Sequence, residues 1–239
     1  MLKLELEGPT FRGLLEGLNF ESLPVKTWIK FCGTTSLADA LASIEAGANA
    51  LGFIFAPSKR RVTPQEAKEI IRRIPVQIEK IGVFLDSGRD EIARLVQEVD
   101  LTGIQMHGSG DLPSEIYDHL PRNRRDSIRK IKTILVDQNF AGKLQAGIEA
   151  SDSVDAWLLD SGAGSGRTFA WQAAQTVICN KQARFIIAGG LTPENVGKAV
   201  HVFQPWGVDV VSGIESEPGR KDPEKMRAFV AEVRKAEQQ

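Results

Sequence analysis

Residues 28–55 read WIKFCGTTSLADALASIEAGANALGFIF. The stretch opens with a short apolar run, Trp28–Cys32, of the kind expected of a strand buried on both faces. A helix is predicted over Leu37–Ala46, where Ser36 can cap the start and Gly47 can supply the residue that ends it. A second apolar run, Ala50–Phe55, follows directly. Strand, crossover helix and strand make one unit of a parallel sheet.

The unit then repeats to the C terminus. Strands are predicted at Lys80–Leu85, Gly103–Met106, Ile128–Ile134, Ala156–Asp160, Phe185–Ala188 and Val208–Val211, which brings the total to eight. Helical stretches fall near Pro64–Ile74, Arg89–Val99, Leu112–Leu120, Gln138–Ala146, Trp171–Cys179, Pro193–Phe203 and Pro223–Ala236. Thr63-Pro64 and Thr192-Pro193 each set a capping residue before a proline at the first helical position. The weakest stretch is Gln138–Ala146, with Gly142 and Gly147 in or beside it, and it is expected to be largely loop.

Eight such units predict an α/β chain folded as a (β/α)8 barrel, a single domain over residues 28–239. A doubly wound open sheet would normally carry a phosphate fingerprint after its first strand, and Cys32-Gly33-Thr34-Thr35 is not one. Gly162-Ala-Gly164-Ser-Gly166 has GxGxG spacing, and Arg167 stands where a Walker loop has lysine, so neither nucleotide motif is present. Residues 1–27 stand apart. Leu2, Leu4 and Leu6 alternate, then Phe11, Leu14, Leu15 and Leu18 recur at helical spacing. They read as a hairpin or helix packed on the barrel, or as sequence ahead of a start near Val25, and are placed outside the catalytic domain.

Composition narrows the function classes. The chain has 239 residues, 42% hydrophobic and 26% charged, as in an ordinary globular protein. A formal charge of −1 gives no global field for nucleic acid or membrane surfaces, so an anionic ligand must be held by local groups. Cys32 and Cys179 are too few for a disulfide framework, and no metal-type Cys/His spacing occurs. No apolar run approaches the ~18 residues of a membrane helix, and residues 1–27 lack the pattern of a signal peptide. A cytoplasmic location is the expectation.

In a barrel the chemistry sits at the C-terminal ends of the strands. Cys32, Arg60, His107, Asp160 and the turns after strands seven and eight then fall in one ring. A free cysteine is commonly just a small buried apolar residue, and Cys179, in an apolar helical stretch, is read that way. Cys32, at a strand end facing a helix N-terminus, can instead have a lowered pKa and act as a base. Asp160 is either a solvated turn aspartate or a general acid, which would need a raised pKa from partial burial or a nearby negative charge. Gly189-Gly190 and Ser212-Gly213 are either tight turns or a place where backbone N–H groups meet a phosphate. Arg60, in Pro57-Ser58-Lys59-Arg60-Arg61, can grip a carboxylate or belong to a solvated basic loop. His107 can serve a substrate or only a loop, while His119 and His201 read as surface or packing residues.

Several blocks in order resemble the phosphoribosylanthranilate isomerase family of tryptophan biosynthesis: Lys30-Phe-Cys-Gly, Gly47-Ala-Asn-Ala-Leu-Gly-Phe-Ile-Phe, Ser58-Lys-Arg, Gly82-Val-Phe, Gln105-Met-His-Gly, Leu159-Asp160, Gly164-Ser-Gly-Arg-Thr-Phe, Ala188-Gly-Gly-Leu-Thr-Pro-Glu-Asn-Val and Val208-Asp-Val-Val-Ser-Gly-Ile-Glu-Ser-Glu-Pro-Gly-Arg-Lys-Asp. The resemblance implies an Amadori rearrangement of N-(5-phosphoribosyl)anthranilate to 1-(2-carboxyphenylamino)-1-deoxyribulose 5-phosphate. It implies Cys32 as general base and Asp160 as general acid, with Arg60, His107, Gly189, Gly190, Asp209, Ser212 and Gly213 binding substrate. It also implies no metal and no organic cofactor, a phosphorylated small molecule as the partner, and a monomer or homodimer.

Two positions and one segment depart from the family pattern. Ala170 stands where an aspartate is usual, near a helix start, and Val211 where a serine is usual; residues 1–27 have no counterpart. A related phosphosugar aldose–ketose isomerase is the alternative enzyme, although that sister type resembles an aspartate pair rather than a cysteine and an aspartate. A non-catalytic phosphosugar-binding barrel is the other alternative.

Overall fold

The computed structural model describes residues 26–108, 120, 122–150, 154–162, 170–179 and 181–238. Eight parallel strands close into a barrel in sequence order. They are β1 Trp28–Cys32, β2 Ala50–Ile54, β3 Glu79–Leu85, β4 Gly103–His107, β5 Arg129–Leu135, β6 Ala156–Asp160, β7 Phe185–Ile187 and β8 Gly207–Val210. The barrel closes where β8 pairs with β1, Lys30 opposite Asp209. The helices are α1 Leu37–Ala46, α2 Pro64–Ile71, α3 Arg89–Val99, α4 Arg122–Arg125, α5 Phe140–Ala150, α6 Trp171–Ile178, α7 Pro193–Phe203 and α8 Pro223–Ala236. Among the described residues no helix is long and apolar enough to cross a membrane.

The caps act as their residues suggest. The Ser36 hydroxyl accepts the Asp39 N–H at 3.1 Å, and Gly47 closes α1 in the left-handed conformation, φ 106°. Thr63 and Glu66 form a reciprocal capping box at the start of α2. The stretch expected to be largely loop is a helix, α5. Gly142 has open space around it, while Gly147 lies where an added Cβ would come within 2.7 Å of the Trp157 ring. Close packing explains that glycine, so it does not mark a break. The expected helix at Leu112–Leu120 lies, apart from Leu120, outside the described residues, as do Gly164, Gly166 and His119.

Strand alternation sorts the core into two layers. Ile29, Phe31, Leu51, Phe53, Ile104 and Leu159 point outward and pack with the helices. Trp28, Ala50, Ile81, Ile131, Ala156, Leu158 and Ile186 fill the barrel interior. Nearer the C-terminal end the interior turns polar, with Lys30, Gln105, Thr133 and Asp209 all buried. After β8 the chain makes a 3-10 turn, Ser212–Ile214, and a small hairpin, β9 Glu215–Glu217 with β10 Arg220–Lys221. The Pro218-Gly219 turn signal marks this hairpin in the sequence.

Candidate active site

A cavity of about 500 Å3 opens at the C-terminal ends of the strands. Cys32, Arg60, His107, Asp160, Gly189, Gly190, Asp209 and Ser212 all line it. Gly213 is not among the lining residues. It packs its backbone against the Leu191 carbonyl, where a side chain would collide. A second cavity of about 610 Å3, bordered by Lys181, Arg184, His201 and Trp206, contains none of these residues.

Cys32 ends β1 and faces Gly52 across the β1–β2 pair. A Cβ on Gly52 would come within 2.6 Å of Sγ, so the glycine makes room for the sulfur. Burial pushes the Cys32 thiol up, and Asp209 adds to this; Lys30 and Lys221 pull the other way without overcoming it. The lowered value expected from a helix N-terminus is therefore corrected: the site is too dry for that effect to dominate. Cys179, expected to be buried, is exposed at the end of α6. The helix turns its apolar face elsewhere, through Trp171, Ala174 and Ile178.

Asp160 ends β6 and is partly buried. Its Oδ1 accepts the Gly162 N–H at 3.0 Å. Burial raises its pKa and Asp209 adds to that, against the opposing pull of the Gly162 bond, His107 and Lys30. Burial lowers the His107 pKa, and the imidazole is neutral near neutral pH. Its Nε2 lies 2.9 Å from Gln105 Nε2, so it accepts the amide hydrogen. His201 is exposed on α7.

The turns after β7 and β8 line the cavity between Asp160 and Cys32. Gly189 and Gly190 both take positive φ, 80° and 65°. Asn195 ties this turn to α7, its Nδ2 donating to the Gly190 carbonyl at 2.9 Å. Val211 lines the cavity in the position where the family usually has serine.

Arg60 does not stand alone. Its Nε and Nη2 donate to the two Glu215 oxygens at 2.8 and 2.6 Å. This bidentate pair links the loop after β2 to the hairpin after β8, and the Glu215 hydrogen bonds hold the guanidinium above its usual pKa. Lys221 Nζ, fully buried, donates to the Cys32 carbonyl at 2.6 Å and to Glu215 Oε1 at 3.2 Å. Lys30, Gln105, Glu215 and Lys221 escaped the sequence reading. The first sits inside an apolar strand, and the partners of the last two lie far away along the chain. Among the described residues, no group of three or more His, Cys, Asp and Glu side chains is arranged to hold a metal ion.

Several known proteins resemble this chain over most of its length. Residues 29–232 match the family model described as N-(5'phosphoribosyl)anthranilate (PRA) isomerase. The N-(5'-phosphoribosyl)anthranilate isomerase of Geotalea daltonii is 40% identical over 210 residues, covering 85% of this chain and 95% of the relative. The solved phosphoribosyl anthranilate isomerase of Thermotoga maritima superposes with a TM-score of 0.75 at 33% identity, over 87% of this chain and 99% of that one. Another solved phosphoribosyl anthranilate isomerase, in complex with reduced 1-(o-carboxyphenylamino)-1-deoxyribulose 5-phosphate, gives a TM-score of 0.71 at 31% identity, over 87% of this chain and 99% of that one. This chain belongs to the N-(5'-phosphoribosyl)anthranilate isomerase family.

Proposed function

We propose that this chain performs the family's reaction with Asp160 as general acid and Cys32 as general base, in the tryptophan pathway of the cytoplasm. The observation that carries the assignment is their position. The two groups reach one cavity from β1 and β6, beside a guanidinium and two glycine turns. A cavity of about 500 Å3 is within the usual range for a ligand of this size.

Asp160, whose pKa its partly buried setting raises, donates its proton in the productive state to the furanose ring oxygen. The C1′–O bond breaks, and the nitrogen lone pair forms an iminium at C1′. The Cys32 thiolate then takes the C2′ proton, which the iminium has acidified, and the electron pair becomes the C1′=C2′ bond of an enolamine. Protonation at C1′ and loss of the O2′ proton give the ketone. Asp160 ends ionised and Cys32 protonated, so one proton returns from Cys32 to Asp160, by way of solvent, before the next turnover.

The free edge of Arg60 meets the anthranilate carboxylate, since Glu215 already occupies the other edge. Backbone N–H groups around Gly190 and Ser212 take the phosphate, and Asp209 and His107 face the sugar. The catalytic unit is the barrel from residue 28 onward, acting as a monomer or homodimer; a solved relative from Thermotoga maritima is described as dimeric.

The test is a fluorescence assay of phosphoribosylanthranilate generated in situ. Rapid decay with purified protein, reduced about 10²–10⁴-fold by Cys32→Ala, is expected. Equal decay with both proteins would remove Cys32 from the mechanism, and no decay with either would leave a phosphosugar-binding barrel.

A further inference from the structure

Cys32 is a buried thiol whose ionisation the dry site opposes, yet the proposed reaction needs its thiolate. What favours the charged form lies two residues back on the same strand. Lys30 and Cys32 share the inward face of β1. Lys30 is wholly buried, and its Nζ sits 2.7 Å from Asp209 Oδ1 on the neighbouring β8. The same ammonium acts on Cys32 and favours its ionised form.

Stability alone gives a poor account of this pair. Exchanging a buried ion pair for well-packed apolar residues is often neutral or stabilising. The layer just below is filled by such residues, Ile81, Ile131, Leu158 and Ile186. We propose that Lys30 is a positioning residue for the base: held by Asp209, its ammonium donates a hydrogen bond to Cys32 Sγ and favours the thiolate. The inference rests on the reading of Cys32 as the base.

Other charges bear on the same sulfur. From β8, Asp209 opposes ionisation, and from β10 Lys221, on the Cys32 carbonyl, favours it. Arg60, from the loop after β2, interacts with Cys32 as well. His107 on β4 and Asp160 on β6 are the other titratable groups that reach the cavity, and Lys132 on β5 acts on His107 from the outer face of its strand. Lys30 differs from the other cations in sharing the inward face of the same strand with the sulfur, two residues away. Asp209 keeps that ammonium charged, since burial alone would lower its pKa and the carboxylate reverses the shift.

The experiment titrates the Cys32 thiolate by its ultraviolet absorbance in the full chain, on a Cys179→Ser background, with Cys32→Ser as the blank. Lys30→Met is the direct variant, but it leaves Asp209 buried and unpaired. Lys30→Met/Asp209→Asn removes both charges and guards against misfolding, which circular dichroism checks. In Lys30→Met the thiol midpoint should rise by about one unit or more, a tenfold loss of thiolate at fixed pH; the double variant is compared with Asp209→Asn alone, because Asp209 opposes ionisation and its loss lowers the midpoint by itself. The basic limb of kcat/KM should move with it, and Lys30→Arg should restore much of the shift. A folded double variant whose midpoint equals that of Asp209→Asn would overturn the proposal. Turnover that survives Cys32→Ala would remove the base itself, and with it the catalytic role of Lys30, whatever the midpoint does.

Discussion

Trp28 and Cys32 stand at opposite ends of one strand and face the same barrel interior, but their surroundings obey different rules. Trp28 stacks on Trp206 at 5.0 Å. Arg129 lies over both rings, 4.9 Å from the second, with its charge answered by a bidentate pair to Glu79. Glu79 in turn accepts the Trp28 indole N–H at 3.1 Å. At this end the polar groups are paired and the apolar surface is covered. Around Cys32 burial works against the charge that the chemistry needs; Asp209, His107 and Asp160 crowd one cavity, and Lys30 lies buried against Asp209. The strands thus hold up a C-terminal end that opposes its own ionisation, and stability and activity separate along the barrel axis.

The sharpest way to break this comparison is Asp160→Asn. It should cut kcat by about 10²–10⁴-fold, while the folded chain loses little, because Asn Oδ1 can still accept the Gly162 N–H. The pH dependence has a definite sign. The folded carboxyl is raised, so native Asp160 binds its proton more tightly than the unfolded chain does. The stability this supplies is complete below the ordinary carboxylate range and is lost as pH rises through the raised value. Asp160→Asn should flatten that stretch of a Tm-against-pH curve. In the unsubstituted chain the productive state, Asp160 protonated with Cys32 ionised, carries as many protons as the unproductive reverse. Their ratio is therefore constant between the two pKa values. The kcat/KM profile should be a bell, its acid limb above the ordinary carboxylate value and its basic limb above the ordinary thiol value. A flat profile would sever the acid–base pair.

The reverse substitution sits in the lower layer. Ile131 is fully buried in the barrel interior. Ile131→Ala should cost about 2–5 kcal/mol in denaturant unfolding, with kcat/KM at low temperature changed only a few-fold. A large kinetic effect there would mean that the two ends are not separable.

The same division governs what could be read from the sequence. Strand–helix repetition, Ser36, Gly47, Thr63 and the Thr192-Pro193 step are local signals, and α1, α3, α7 and α8 begin and end where those signals place them. The ring of Cys32, Arg60, His107 and Asp160 was legible because a closed parallel barrel brings every strand end to one rim. Pairings across the barrel were not. Lys30 with Asp209 and Arg60 with Glu215 join residues 179 and 155 positions apart, and nothing near either residue names its partner. A lysine in an apolar strand reads as an oddity until the fold supplies a carboxylate. The Cys32 pKa failed for a related reason: position at a strand end is local, whereas desolvation is set by everything packed around the sulfur. Gly147 misled because its cause, the Trp157 ring, lies on the next strand.

The smallest effect tests a position near neither extreme. Helix α6 starts at Trp171 with Ala170 at its N-cap, φ −71° and ψ 88°, no side-chain cap bond and no acidic residue in its first turn. Its first N–H groups therefore lack the side-chain acceptor that Ser36 gives α1, and the positive end of the helix dipole faces no charge from its own first turn. Ala170→Asp supplies an acceptor and a negative charge together, worth about 0.5–2 kcal/mol at an N-cap. For a chain of this size that is a Tm rise of about 2–4 °C per kcal/mol, readable by calorimetry. Because Ala170 is exposed and outside the cavity, kcat/KM should stay within about twofold. A gain in turnover without a gain in Tm would show that this helix start acts on the site rather than on the scaffold, and would move the boundary between the two regions outward from the rim.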